Sequence, residues 1–277
     1  MTQFRPTGFN ILPPVVKNIL IINALFFLAT ITFDSVFRVD LVRYLGLHYP
    51  AASHFNPYQF VTYMFMHGGF AHLFFNMFAL WMFGNALENV WGAKRFLIYY
   101  FVTGIGAGII YLIWISVQIV PTVGSIDSFI QTRDLDILNT FLGEHRFRVG
   151  QSELISFNNI LTRLNVDPEN REALQAAVNF MTNYKQTYLN QFVVIGASGS
   201  VFGILLAFGM MFPNSLLYIY FAFPIKAKYF VIAYGALELI SGIMDNPADN
   251  VAHFAHLGGM LFGFLLIKYW KKKGIFY

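Results

Sequence analysis

The sequence predicts an all-α polytopic membrane protein, a six-transmembrane-helix bundle with a mainly helical extramembrane insertion between spans three and four. Three observations carry this. Hydrophobic residues make up 57% of the chain and charged residues 12%, about half the charged share of an average soluble domain. Six apolar segments approach the roughly 20 residues that cross a bilayer, near 16–37, 60–87, 96–120, 192–212, 227–243 and 251–270. One stretch, 121–190, holds six basic and eight acidic side chains. The chain has no cysteine, so disulfides, thiolate catalysis and cysteine metal sites are excluded.

The first apolar run is too long for a signal-peptide core and no A-x-A-like site follows it, so it reads as a retained span. The fifth is short and carries Glu238. Basic residues set the orientation. Arg5 and Lys17 precede span one, and Lys94 and Arg95 lie between spans two and three. Lys226 and Lys228 lie between four and five, and Lys268, Lys271, Lys272 and Lys273 follow six. The connection 244-MDNPADNV-251 has two acids and no base. Both termini are then cytoplasmic, with Arg38 and Arg43 as the exceptions in the first external loop. The pI near 9.2 follows from this topology and not from nucleic-acid binding. The expected location is a bacterial inner membrane, with the lipid bilayer as solvent.

Within the insertion, 153-ELISFNNILTRL-164 places Leu154, Phe157, Ile160, Leu161 and Leu164 at helical spacing. A second helix opens on 167-DPENREALQAAV-178, with Asp167 as N-cap and Pro168 at the first helical position. Leu174, Val178 and Met181 continue its apolar stripe. Two readings stay open. The helices pack on each other or on the membrane surface, or they cover the entrance to a site.

Ionisable and amide groups inside a bilayer are costly and therefore point to function. Span two carries His67, His72 and Asn76, span four carries Ser198, and span six carries His253 and His256. On the six-span topology His72, Ser198 and His256 all lie near the external ends of their helices. Ser198 falls about six residues into its span and His256 about five, roughly 8–9 Å deep. Gly259 and Gly263 form a G-x-x-x-G that allows close helix approach, and Gly196, Ala197, Gly199 and Gly203 offer a complementary small surface.

A serine hydroxyl needs a base to become a nucleophile, and neutral imidazole is the usual one. Ser198 is the candidate nucleophile and His256 its base. His72 and Asn76 share a helix face at i, i+4 and could, with the Ser198 N–H, stabilise an oxyanion. Phe202 follows Ser198 by one turn and could stack on the His256 ring. No carboxylate sits at a spacing that would orient this histidine, so a Ser–His dyad is expected in place of a triad. No H-E-x-x-H is present, and neither a metal nor another cofactor is expected.

These residues resemble the rhomboid family of intramembrane serine proteases. The resemblance rests on H-G-G-F-A-H-L-F-F-N-M (67–77), then Gly84, Glu88, Gly92, Arg95 and Phe96, then G-A-S-G-S-V-F-G (196–203) and A-H-L-G-G-M-L-F-G (255–263). It covers the six-span core and leaves out 121–190. It implies cleavage of transmembrane protein substrates within or beside their spans, near small, helix-destabilising residues. It also implies Ser198 as nucleophile, His256 as base, and His72, Asn76 and the Ser198 N–H as the oxyanion hole. Gly196 matches the first glycine of the serine motif, and Phe202 the aromatic that stacks on the histidine. The family's Trp-Arg pair in the first loop is replaced here by Tyr58 and Gln59. The alternatives are a catalytically inactive relative that binds membrane clients, and a proton-coupled transporter, which lacks the expected inverted repeats. The oligomeric state is not set by the sequence.

Overall fold

The computed structural model describes residues 10–145, 147, 149–219, 222–244 and 251–274. Arg5 and most of the acidic connection 244–251 lie outside the described residues. In chain order the elements are α1 (Pro14–Phe37), α2 (Leu41–Leu45), β1 (Leu47–His48), α3 (Gln59–Thr62), a 3₁₀ turn (Tyr63–Phe65) and α4 (Phe70–Ala79). A π turn (Leu80–Gly84) joins α4 to α5 (Asn85–Trp91). Then come α6 (Ala93–Thr132), α7 (Leu135–Glu144), α8 (Gln151–Val166), α9 (Arg171–Asn190), β2 (Val193–Val194) and α10 (Ser198–Met211). The chain continues with β3 (Leu216–Ile219), β4 (Phe223–Lys226), α11 (Ala227–Met244) and α12 (His253–Lys272).

Among the described residues, four helical runs are long and apolar enough to cross a membrane: Pro14–Phe37, Phe70–Trp91, Ala93–Thr132 and Ala227–Met244. The apolar α10 has 14 residues, because Phe192–Ala197, expected inside span four, forms β2 and the turn that follows it. The third helix runs through Pro121 to Thr132, well past the expected end at 120. Proline removes one N–H, which a long helix tolerates when neighbouring groups take up the freed positions. The connection between α10 and α11 is an antiparallel hairpin that pairs Leu216 with Lys226 and Ile219 with Phe223, a departure from the purely helical expectation.

The chain divides into two compact units. The first contains Met1–Leu47, Asn56–Leu112 and Val194–Tyr277. Its burial is inverted relative to a soluble domain. Leu25 and Leu28 of α1 are 58% and 59% exposed, whereas Asn23, Gln59, Thr103 and Glu88 are almost fully buried. Lipid solvates the apolar face, and polar groups survive inside because they bond to one another or to backbone. Together with the apolar helices, this is the pattern of an integral membrane protein.

Two of these polar groups tie the first helix and the first loop in place. Pro13 precedes α1 and offers no side-chain cap, so the orphan donors at the helix start go elsewhere. Glu88 accepts from Val15 N at 2.9 Å and from Val16 N at 2.8 Å, and its negative charge also suits the positive end of the helix. Glu88→Ala should therefore lower the unfolding free energy by about 2 kcal/mol, read as a fall in the thermal midpoint of the purified protein. Gln59 is one of the two residues standing where the resemblance implies a Trp-Arg pair. Its amide donates to Tyr44 O at 3.0 Å and accepts from Asn56 N at 3.1 Å, while Thr62 Oγ1 donates to Leu45 O at 2.7 Å. These bonds anchor the first loop.

The second unit contains His48–Phe55 and Ile113–Val193. Its core joins Ile126 and Phe129 of α6, Leu138 and Phe141 of α7, Phe157 and Leu164 of α8, and Ala177 and Met181 of α9. Phe157 and Phe180 stack at 3.9 Å between ring centroids. Lys185 pairs with Asp127 at 2.6 Å. The expected pair of helices is present, but α7 and the end of α6 join them. The N-cap also differs: Asn170 Oδ1 accepts from Ala173 N at 3.0 Å, while Asp167 closes α8 and turns back onto Glu169 N. Asp167 and Asn170 are both strong cap formers, and Pro168 permits the intervening turn.

Candidate active site

Ser198 is the first residue of α10. The first intrahelical bond runs from Val201 N to Ala197 O, so the Ser198 and Gly199 N–H groups precede it and point out of the helix start. Two residues earlier, Gly196 has φ of +124°, a conformation that side chains rarely adopt. A Cβ there would lie 2.8 Å from His72 Nε2 and 3.6 Å from Ser198 Oγ. Gly196 N donates to Tyr63 O at 2.9 Å. The glycine thus lets the chain turn tightly into α10 beside the His72 ring.

The approach of α10 and α12 follows from two glycines. A Cβ on Gly259 would collide with the Gly199 carbonyl, so the two backbones touch there. Gly263 and Gly203 play a different part from the one expected of them. Both face α6, Gly263 against the Tyr99 hydroxyl and Gly203 against Thr103, and Tyr99 Oη donates to Gly203 O at 2.8 Å. The small surface therefore packs three helices together.

With the backbones this close, His256 Nε2 lies 2.9 Å from Ser198 Oγ. Phe202 stacks on the His256 ring with centroids 4.1 Å apart and planes within 6°. Tyr234 of α11 stacks on Phe202 in turn, at 5.2 Å. The neighbouring Ser200 behaves otherwise. It is buried and donates to Tyr100 O at 2.8 Å, the ordinary fate of a hydroxyl between packed helices.

The expectation that no carboxylate lies near His256 is overturned. Glu238 of α11 places Oε2 2.8 Å from His256 Nδ1 and 2.7 Å from His253 Nδ1. Donor atoms from these three side chains lie within 4.8 Å of one another, close enough to hold a metal ion. They also satisfy each other as hydrogen bonds. A carboxylate only accepts, so the His256 Nδ1 facing it carries the proton and Nε2 offers a lone pair to Ser198.

His72 and Asn76 occupy one face of α4, but the Asn76 amide donates to its own helix, at His72 O, 3.0 Å away. The His72 ring meets the His67 ring edge-on with centroids 4.9 Å apart.

Residues 54–125 and 172–273, more than half of the chain, match the profile of the Rhomboid domain. An uncharacterized mitochondrial rhomboid protein of Schizosaccharomyces pombe is 29% identical over 89 residues, covering 30% of this chain and 23% of that protein. The rhomboid protease GluP of Bacillus subtilis is 34% identical over 85 residues, covering 31% of this chain and 17% of its own length. The matched stretches thus span under a quarter of these relatives.

Proposed function

Since the chain belongs to the rhomboid family, we propose that it is an intramembrane serine endopeptidase that hydrolyses peptide bonds within or next to the spans of membrane-protein substrates. The observation that carries this reading is the 2.9 Å contact between Ser198 Oγ and His256 Nε2 at the start of α10.

In the proposed reaction, Ser198 Oγ attacks the scissile carbonyl carbon as its proton passes to His256 Nε2. The oxyanion forms at the helix start, where the Ser198 N–H and the positive end of α10 favour negative charge. His72, beside Gly196, is a further donor. Asn76 gives one amide N–H to His72 O and keeps the other for the oxyanion. When the tetrahedral intermediate collapses, the C–N bond breaks and His256 Nε2 returns the proton to the departing amine. Water then attacks the acyl-serine with His256 again as base, the bond from the acyl carbon to Oγ breaks, and Nε2 returns the proton to Ser198 Oγ. No step calls for a cofactor.

The membrane topology belongs to the same reading. The six spans are α1, the run from α4 to α5, the first part of α6, α10, α11 and α12, in a bacterial inner membrane with cytoplasmic termini. Residues 121–190 then lie outside the bilayer.

A fluorophosphonate probe tests the nucleophile directly. It should label the folded wild-type protein at Ser198 and leave Ser198→Ala unlabelled, read by gel fluorescence and peptide mass. A folded wild-type protein that never labels would favour a non-catalytic relative that binds membrane clients.

A further inference from the structure

Glu238 is a carboxylate within an apolar helix of 18 residues, and an acid in such a place calls for a reason. Its Oε2 contacts two imidazoles at once, at 2.7 and 2.8 Å. His253 and His256 stand at i, i+3 on α12, so both rings leave the same face toward α11. One of these rings is also the ring that touches Ser198. Glu238, His256 and Ser198 therefore form an unbroken line, from carboxylate oxygen to Nδ1, across the ring to Nε2, and on to Oγ.

We propose that Glu238 is the positioning residue of the Ser198–His256 pair, with His253 bracing the same carboxylate oxygen. The inference rests on the protease reading of this site. Glu238 accepts from His256 Nδ1–H and so selects the tautomer whose Nε2 can take the serine proton. It faces the positive charge that forms on the ring when that proton arrives, and it keeps its own charge throughout. The second bond, from His253 Nδ1–H, fixes the carboxylate that a single bond would leave free to swing. Phe202 sets the plane of the ring and Glu238 sets its rotation within that plane.

The test uses the full chain in proteoliposomes with a single-span substrate, measuring kcat and KM for wild type, Glu238→Gln, Glu238→Asp and His253→Asn. Nitrogen-15 spectra of histidine-labelled protein report the His256 tautomer, assigned by its loss in His256→Gln. Glu238→Gln should lower kcat by about 10²-fold or more, with KM within about twofold, and should abolish the preference for Nδ1–H. Glu238→Asp should recover part of the rate, and His253→Asn should lose less, about tenfold. A Glu238→Gln kcat within about twofold of wild type, or an unchanged tautomer, overturns the proposal. If Glu238→Gln does not fold, Glu238→Met, which also lacks the carboxylate, decides by the same two readouts, and wild-type kcat and tautomer there overturn the proposal. A wild-type rate abolished by EDTA and restored by zinc would make the trio a metal site and also overturn it. If Ser198→Ala cleaves as well as wild type, the protease reading fails, and the tautomer still judges the part played by Glu238.

Discussion

Ser198→Ala and His256→Ala should each reduce cleavage of a single-span membrane substrate by about 10⁴-fold or more, because each removes half of one proton-transfer unit. The two side chains are 2.9 Å apart, and the neighbouring serine does not stand in for Ser198. Ser200 is two residues from Ser198, but its hydroxyl is committed to Tyr100 O at 2.8 Å. The double variant should therefore fall no further than either single one, as is usual for residues acting together. The assay is initial-rate cleavage in proteoliposomes, with thermal midpoints showing that the variants are folded. Equal rates in wild type and both single variants would remove the proposed chemistry.

Gly259→Ala should act on the fold, by about 3 kcal/mol. Most overpacking substitutions are absorbed by a flexible side chain that moves aside. Here the obstacle is the Gly199 carbonyl, part of the first turn of α10, so one helix must shift. The turn that shifts also carries Ser198. The thermal midpoint should fall, and probe labelling of Ser198 should fall with it. Gly263→Ala, which meets the Tyr99 hydroxyl at the end of a side chain, provides the comparison. Its Tyr99 can give way only by disturbing its bond to Gly203 O, so it should destabilise without reducing labelling in proportion.

The parts of the site legible in the sequence were those linked by depth within apolar runs. Counting residues from the external ends relates Ser198 to His256, and one helical turn relates Phe202 to the histidine ring. The carboxylate was not found this way. Glu238 and His256 are 18 residues apart, on helices joined by a turn whose geometry no periodicity describes. The signal was nonetheless present, as an acid in a run of apolar residues. The cost of placing it there points to a partner. The start of α10 was hidden for a related reason. Hydropathy continues unbroken through Val193, Val194 and Ile195, so it does not separate a strand from a helix. Gly196 marks the change, through a backbone angle that composition does not reveal. In the second unit, Asp167 and Asn170 competed for one cap, and only the side-chain contacts distinguish them.

The stack of Phe202 on His256 has a consequence for the order of events. An imidazole covered on one face and engaged at both nitrogens does not turn over during a catalytic cycle. One nitrogen must therefore take every proton and give every proton back, and it holds one at a time. In the proposed reaction the amine fragment has to collect its proton and leave before the same nitrogen can deprotonate water. Hydrolysis is then a relay with a single runner, and an enzyme whose first product lingers stalls as the acyl-serine.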